Sequence, residues 1–152
     1  MSRSFPPVAA LLLALSLPAA AQAPASQDDA GLASRFLDCG YYFALLPSLS
    51  GRNAQGEQLA SVKELENFSR LAALALVGRD EARLASAVAR NGFSEELRQA
   101  DAQGEEAVLR FLQSRSERCS ALMKDKAPVV APRIEAYIAA DEAAKAKAGT
   151  AP

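Results

Sequence analysis

Two cysteines, an arginine set in an apolar stripe, three consecutive aromatics and several adjacent carboxylates are the side chains from which this sequence could build a site. Cys39 and Cys119 allow a single internal pairing. A bridge between them closes a loop of about 80 residues, worth about 4–5 kcal/mol in unfolded-state entropy. Catalytic dithiols sit close together at a helix start, where one thiol is acidified. These two lie far apart and inside helical pattern, so the bond reads as structural. Arg115 comes one turn before Cys119 on the same stripe. Its stem can pack while its head reaches water. Alternatively, its guanidinium can stack on Tyr41 or Tyr42, or meet an anionic ligand in a cavity. Asp101 shares the stripe but lies about 21 Å away along a helix, at 1.5 Å per residue, which is out of reach.

The aromatics stand in Asp38-Cys39-Gly40-Tyr41-Tyr42-Phe43-Ala44-Leu45-Leu46. At about 100° per helical residue they cannot share a face. With Phe43 inward, Tyr42 falls on the flank, and Tyr41 points almost the opposite way beside Leu37 and Leu45. Either this helix has neighbours on two sides, with the tyrosine hydroxyls on polar partners, or Leu37, Tyr41 and Leu45 form an exposed docking strip.

The carboxylates are Glu64 and Glu66, Asp80 and Glu81, Glu95 and Glu96, and Glu105 and Glu106. Neighbours on a helix diverge, and those at 80–81 and 95–96 suit helix starts. A hydrolase working on carboxylates alone is the most remote reading. The chain has no histidine, which excludes Ser-His-Asp and Cys-His catalysis, histidine-ligated metal or haem, and a histidine pH switch. No P-loop, Gly-x-Ser-x-Gly, Ser-x-x-Lys or calcium loop is present. The chain therefore reads as non-catalytic, with no cofactor and no metal. A net charge of −1 gives no pull towards nucleic acid.

The elements that position these residues begin after an address segment. Arg3, the apolar run 8–17, Pro18 and Ala19-Ala20-Ala21 read as a secretory signal peptide over 1–21, cleaved before Gln22. The run is shorter than a membrane span, so no integral membrane segment is expected after cleavage. The product is exported, to a periplasm or outside the cell. Without the signal, Leu, Ile, Val and Phe make up about a fifth of the chain, near the lower limit for a folded core. Alanine fills much of the rest, favouring helix but supplying little core, so the bridge becomes important.

Residues 22–27 read as a flexible leader, 28–147 as one helical domain and 148–152 as a disordered tail. Helix 1 spans about 28–46 and stops at Pro47, with Leu32, Phe36, Cys39, Phe43 and Leu46 inward. A loop at 47–56 precedes helix 2 at about 57–77, whose apolar last two turns should be deeply covered, with Gly78 as C-cap. Helix 3 runs about 80–90 and stops at Asn91-Gly92. Helix 4 runs about 94–124 from a Ser94 cap, with Gly104 a possible break, and helix 5 starts at Pro132. No strand pattern is visible. The expectation is an all-α, four- to five-helix up-down bundle with helices 1 and 4 antiparallel.

Three functional readings follow. The first is binding of an envelope protein or peptide through the apolar patch near helix 1. The second is carriage of a small molecule in a cavity between helices 1, 2 and 4, and the third is the carboxylate hydrolase.

Overall fold

A computed structural model describes residues 26–49 and 56–149. The expected signal peptide, residues 22–25 of the leader and the last residues of the tail lie outside the described residues. The chain is all-α, with α1 at Gln27–Leu49, α2 at Gly56–Ala102 and α3 at Glu105–Ala148. No helix among the described residues is long and apolar enough to cross a membrane.

Three helices, the second broken at Gly78, stand where four to five were expected, and the differences lie at the punctuation. The first helix starts a residue early because Ser26 caps it. The Ser26 hydroxyl accepts the Asp29 N–H at 3.0 Å, and its carbonyl accepts the Ala30 N–H. Pro47 does not stop the helix but sits in its last turns, where only one ladder rung is lost. In α2 the break falls at Gly78, with φ 79 and ψ 175, as its expected role as a cap implies. We refer to 56–77 and 79–102 as the N-terminal and C-terminal limbs of α2.

Asn91-Gly92 ends nothing. A helical glycine costs about 1 kcal/mol relative to alanine, whereas burying the Phe93 ring next to it contributes about 1.5–3 kcal/mol, so packing carries the helix through. The true stop is Gly104, whose φ of 101 is a backbone state that glycine adopts freely. The expected fourth helix is therefore divided between α2 and α3, and Ser94 lies inside a helix rather than capping one. Pro128 and Pro132 both lie inside α3, which joins the expected helices 4 and 5. Each removes one backbone donor, yet Val130 and Ile134 between and beyond them are buried and hold the segment in place.

Contacts fix the directions. Asp29 pairs with Arg133 and Cys39 is bonded to Cys119, so α3 runs antiparallel to α1 as the bridge register implied. The cysteine Cα atoms are 5.5 Å apart. The N-terminal limb of α2 packs closely on α1. A Cβ at Gly40 would come 3.4 Å from the Ser69 Cβ, and Phe36 meets Phe68 edge-on at 6.0 Å. Ser69 is fully buried and its hydroxyl donates to the Leu65 carbonyl, which offsets the burial of a polar group.

The core gathers Phe36, Cys39, Phe43, Ala72, Ala73, Leu76, Cys119, Leu122 and Val130. Several of these are alanine or cysteine, which bears out the thin core expected from composition. The apolar end of the N-terminal limb is covered as expected: Ala72, Ala73 and Leu76 are buried, and Leu71, Leu74 and Val77 pack against them.

Candidate functional site

The middle of α1 is enclosed on two sides. Phe43 enters the core, and Tyr42 is buried beside it with ring centroids 5.5 Å apart. Tyr41, about 100° back around the helix, turns to the C-terminal limb of α2. There its hydroxyl donates to the Ser86 carbonyl at 3.1 Å and lies 2.7 Å from Ser86 Oγ. Leu37 is buried, and Leu45 is half-buried against the core. Of the two arrangements open to Leu37, Tyr41 and Leu45, the chain adopts the helix with neighbours on both sides. The physical reason is Gly78: its non-helical turn brings the C-terminal limb back over α1, and the strip becomes the seam between them.

The strip is not sealed along its whole length. Beyond Tyr41 the seam widens into a groove of about 670 Å³, lined by Tyr41, Leu45, Leu49, Phe93, Leu97 and Val108. Leu49, at the end of α1, is 51% exposed beside it. Most of this lining is hydrocarbon, with Arg98 and Asp101 at the edge. Arg98 is already engaged by Glu95, which leaves the Asp101 carboxylate as the lining charge without an ion pair among the described residues.

Arg115 lies behind the groove, against its Phe93 wall, with its side chain only 3% exposed. Its guanidinium neither snorkels to water nor stacks on a tyrosine. It sits between Phe93 and Phe111, 5.5 and 5.2 Å from their centroids, and these rings are themselves 5.5 Å apart. One terminal nitrogen donates to Asp38 of α1 and the other to Glu96 of α2, at 2.5 Å for Glu96. Nε is buried without a partner. Burial, and secondarily the nearby Arg118 charge, pulls the guanidinium below the ordinary arginine range. Arginine has no acceptor and stays charged at any ordinary pH, so the guanidinium acts here as a fixed cation. It ties three helices together and leaves no terminal nitrogen group free of a carboxylate for an incoming anion.

Neither Asp38 nor Glu96 is marked by the sequence as a partner of Arg115. One signal was available: bridging Cys39 to Cys119 in an antiparallel pair brings Asp38 within reach of the long Arg115 side chain, although Phe43 is the residue directly opposite Arg115. Glu96 offered no such signal, since it depends on the C-terminal limb running straight through Gly92.

The other carboxylates with resolved contacts face cations or amides. Glu95 is held at a pKa of about 2 by Arg98 and then Gln99, Glu106 pairs with Arg110, and Asp141 pairs with Arg79 and Lys145. Among the described residues no group of three or more Cys, Asp or Glu side chains could hold a metal ion. No family model, curated protein or solved structure matches the chain.

Proposed function

We propose that the chain is an exported, non-catalytic binding protein that takes an apolar segment of an envelope protein or peptide into the groove at the end of α1. The scaffold we propose is an up-down bundle: α1, the two limbs of α2 and α3 alternate in direction and are pinned by one disulfide. The observation that carries the reading is the groove itself. A lining of leucine, valine and aromatic side chains that no described element covers is the kind of surface that marks a docking site. Its volume lies within the range of functional pockets, about 300–1,000 Å³. The address-like residues 1–21 support export to the periplasm, and N-terminal sequencing of the mature protein should then begin at Gln22.

The groove is tested by placing a photo-crosslinking amino acid at Leu49 in living cells, with the same probe at exposed Leu84 as control. A discrete adduct at Leu49, absent at Leu84 and lost on adding Leu45→Ser, supports the reading. Identical adducts at both positions, or none at Leu49, overturn it. Circular dichroism of the Leu45→Ser protein controls for folding. A second reading, carriage of a small molecule, is favoured over a carboxylate hydrolase by a separate cleft on α1.

A further inference from the structure

A second concavity opens where α1 lies between the two limbs of α2, on the side away from the disulfide. It has two adjoining compartments of about 300 Å³ each, which share Leu37, Arg70 and Ser86. Leu37 and Leu74 form an apolar floor, and Tyr41 and Ser86 contribute hydroxyls at one wall. Arg70, Arg79 and Arg83 stand around the compartment that holds Leu74, and no carboxylate lines it. Glu66 belongs to the other compartment.

The three arginines differ in what they already hold. Arg79 is committed to Asp141 at 2.8 Å. Arg70 and Arg83 make no ion pair or side-chain hydrogen bond among the described residues. They come from different limbs, and Gly78 brings those limbs together, so the two guanidiniums flank one apolar recess. That combination is unlike the rest of the molecule. Arg98, Arg110, Arg115 and Arg133 each have a carboxylate partner, and Arg35, Arg90 and Arg118, which have none among the described residues, do not line this cleft.

We infer that this cleft binds a single-chain amphiphile with an anionic head. The head sits between Arg70 and Arg83, and the tail lies on Leu37 and Leu74. A guanidinium matches a carboxylate in planar, two-point geometry, and two of them across a recess hold an anion that one exposed charge would not. Charge at the rim selects the head, and the floor removes tail surface from water in proportion to its length. Compartments of this size suit a medium-length chain, not a two-chain lipid. The site adjoins the groove at Leu45 and Leu49 through Tyr41 and Ala44, but Arg70, Arg83, Leu37 and Leu74 do not line that groove.

The test is calorimetric titration of the mature protein with decanoate below its micelle concentration, beside acetate, decanol and decyltrimethylammonium. Decanoate should bind with one site per chain, acetate at least a hundredfold more weakly, and the cationic amphiphile at least tenfold more weakly. Arg70→Gln with Arg83→Gln should weaken decanoate at least tenfold and leave decanol unchanged, with thermal melts showing the fold intact. Leu49→Ser should change nothing, which separates this site from the groove. Decanoate affinity that survives loss of both arginines, equal binding of the cation, or no saturable binding overturns the inference.

Discussion

Arg115 offers the sharpest test of how this fold is held, because the two ways of dismantling its ion pairs have different consequences. Its side chain is 3% exposed, while those of Asp38 and Glu96 are 29% and 54% exposed. Replacing both carboxylates by amides, Asp38→Asn with Glu96→Gln, keeps the shapes but leaves a buried cation with neutral acceptors. Stranding one member of a buried pair costs about 3–5 kcal/mol. Arg115→Met removes the buried charge itself. The carboxylates left behind already touch water and can be hydrated, and the thioether stays between the Phe93 and Phe111 rings. Exchanging a buried pair for a packed apolar side chain is often near neutral, so the cost should be about 1–2 kcal/mol, mainly lost cation–π attraction. Urea unfolding followed by far-ultraviolet circular dichroism measures both. With a slope of about 2 kcal/mol per M, the amide double variant should lower the midpoint by about 2 M and Arg115→Met by less than about 1 M. If Arg115→Met proves as damaging as the double variant, the guanidinium is not a buried charge sustained by two carboxylates, and the account of this centre fails.

Further outcomes follow from the same structure. Cys39→Ser with Cys119→Ser should cost about 4–5 kcal/mol through the 80-residue separation, a large share of a usual 5–15 kcal/mol, seen as a melting shift that reductant reproduces in the parent. Gly92→Ala should stabilise by about 0.5–1 kcal/mol, since its backbone is helical and a Cβ there meets nothing within 4 Å. Gly104→Ala should destabilise by about 1 kcal/mol because of its φ of 101, and denaturation midpoints read both signs. For pH, Glu95 is lowered from 4.5 to about 2, chiefly by its bond with Arg98, while Asp29 and Asp141 are lowered from 3.8 by Arg133 and Lys145. Depressed carboxylates contribute stability that is complete above the unfolded values and lost as pH falls through the folded ones. Unfolding midpoints should therefore hold steady above about pH 5 and decline towards pH 2, and Arg98→Ala should raise the Glu95 carbon-13 titration part of the way towards 4.5, with the Gln99 bond still holding it down.

Much of the helical architecture could be read along the chain because its causes are local. The 4-3-4-3 spacing of Leu32, Phe36, Cys39, Phe43 and Leu46 is a property of neighbouring residues, and the core receives Phe36, Cys39 and Phe43 from it. Gly78 marked its break for the same reason. The wrongly expected breaks at Pro47, at Asn91-Gly92 and between residues 124 and 132 share one feature: each carries a local cost of a rung or a glycine. At Asn91-Gly92 and around Pro128 and Pro132, that cost is outweighed by burial of Phe93, Val130 and Ile134 against other helices. Those partners are distant in sequence, so the local signal pointed the wrong way.

The candidate sites divide along the same line. A chain with two cysteines has one possible bridge, and a chain without histidine lacks imidazole chemistry; counting settles both. Periodicity also showed that Tyr41 and Phe43 must face opposite ways. Which neighbour would meet Tyr41, and whether Leu37 and Leu45 would be covered, depended on the limb that Gly78 turns back over α1. The carboxylates that meet Arg115 come from 77 and 19 residues away. Composition and spacing report what each residue brings and which way it faces on its own helix. What it meets there is decided by packing between segments far apart in the chain, and no short-range pattern encodes that.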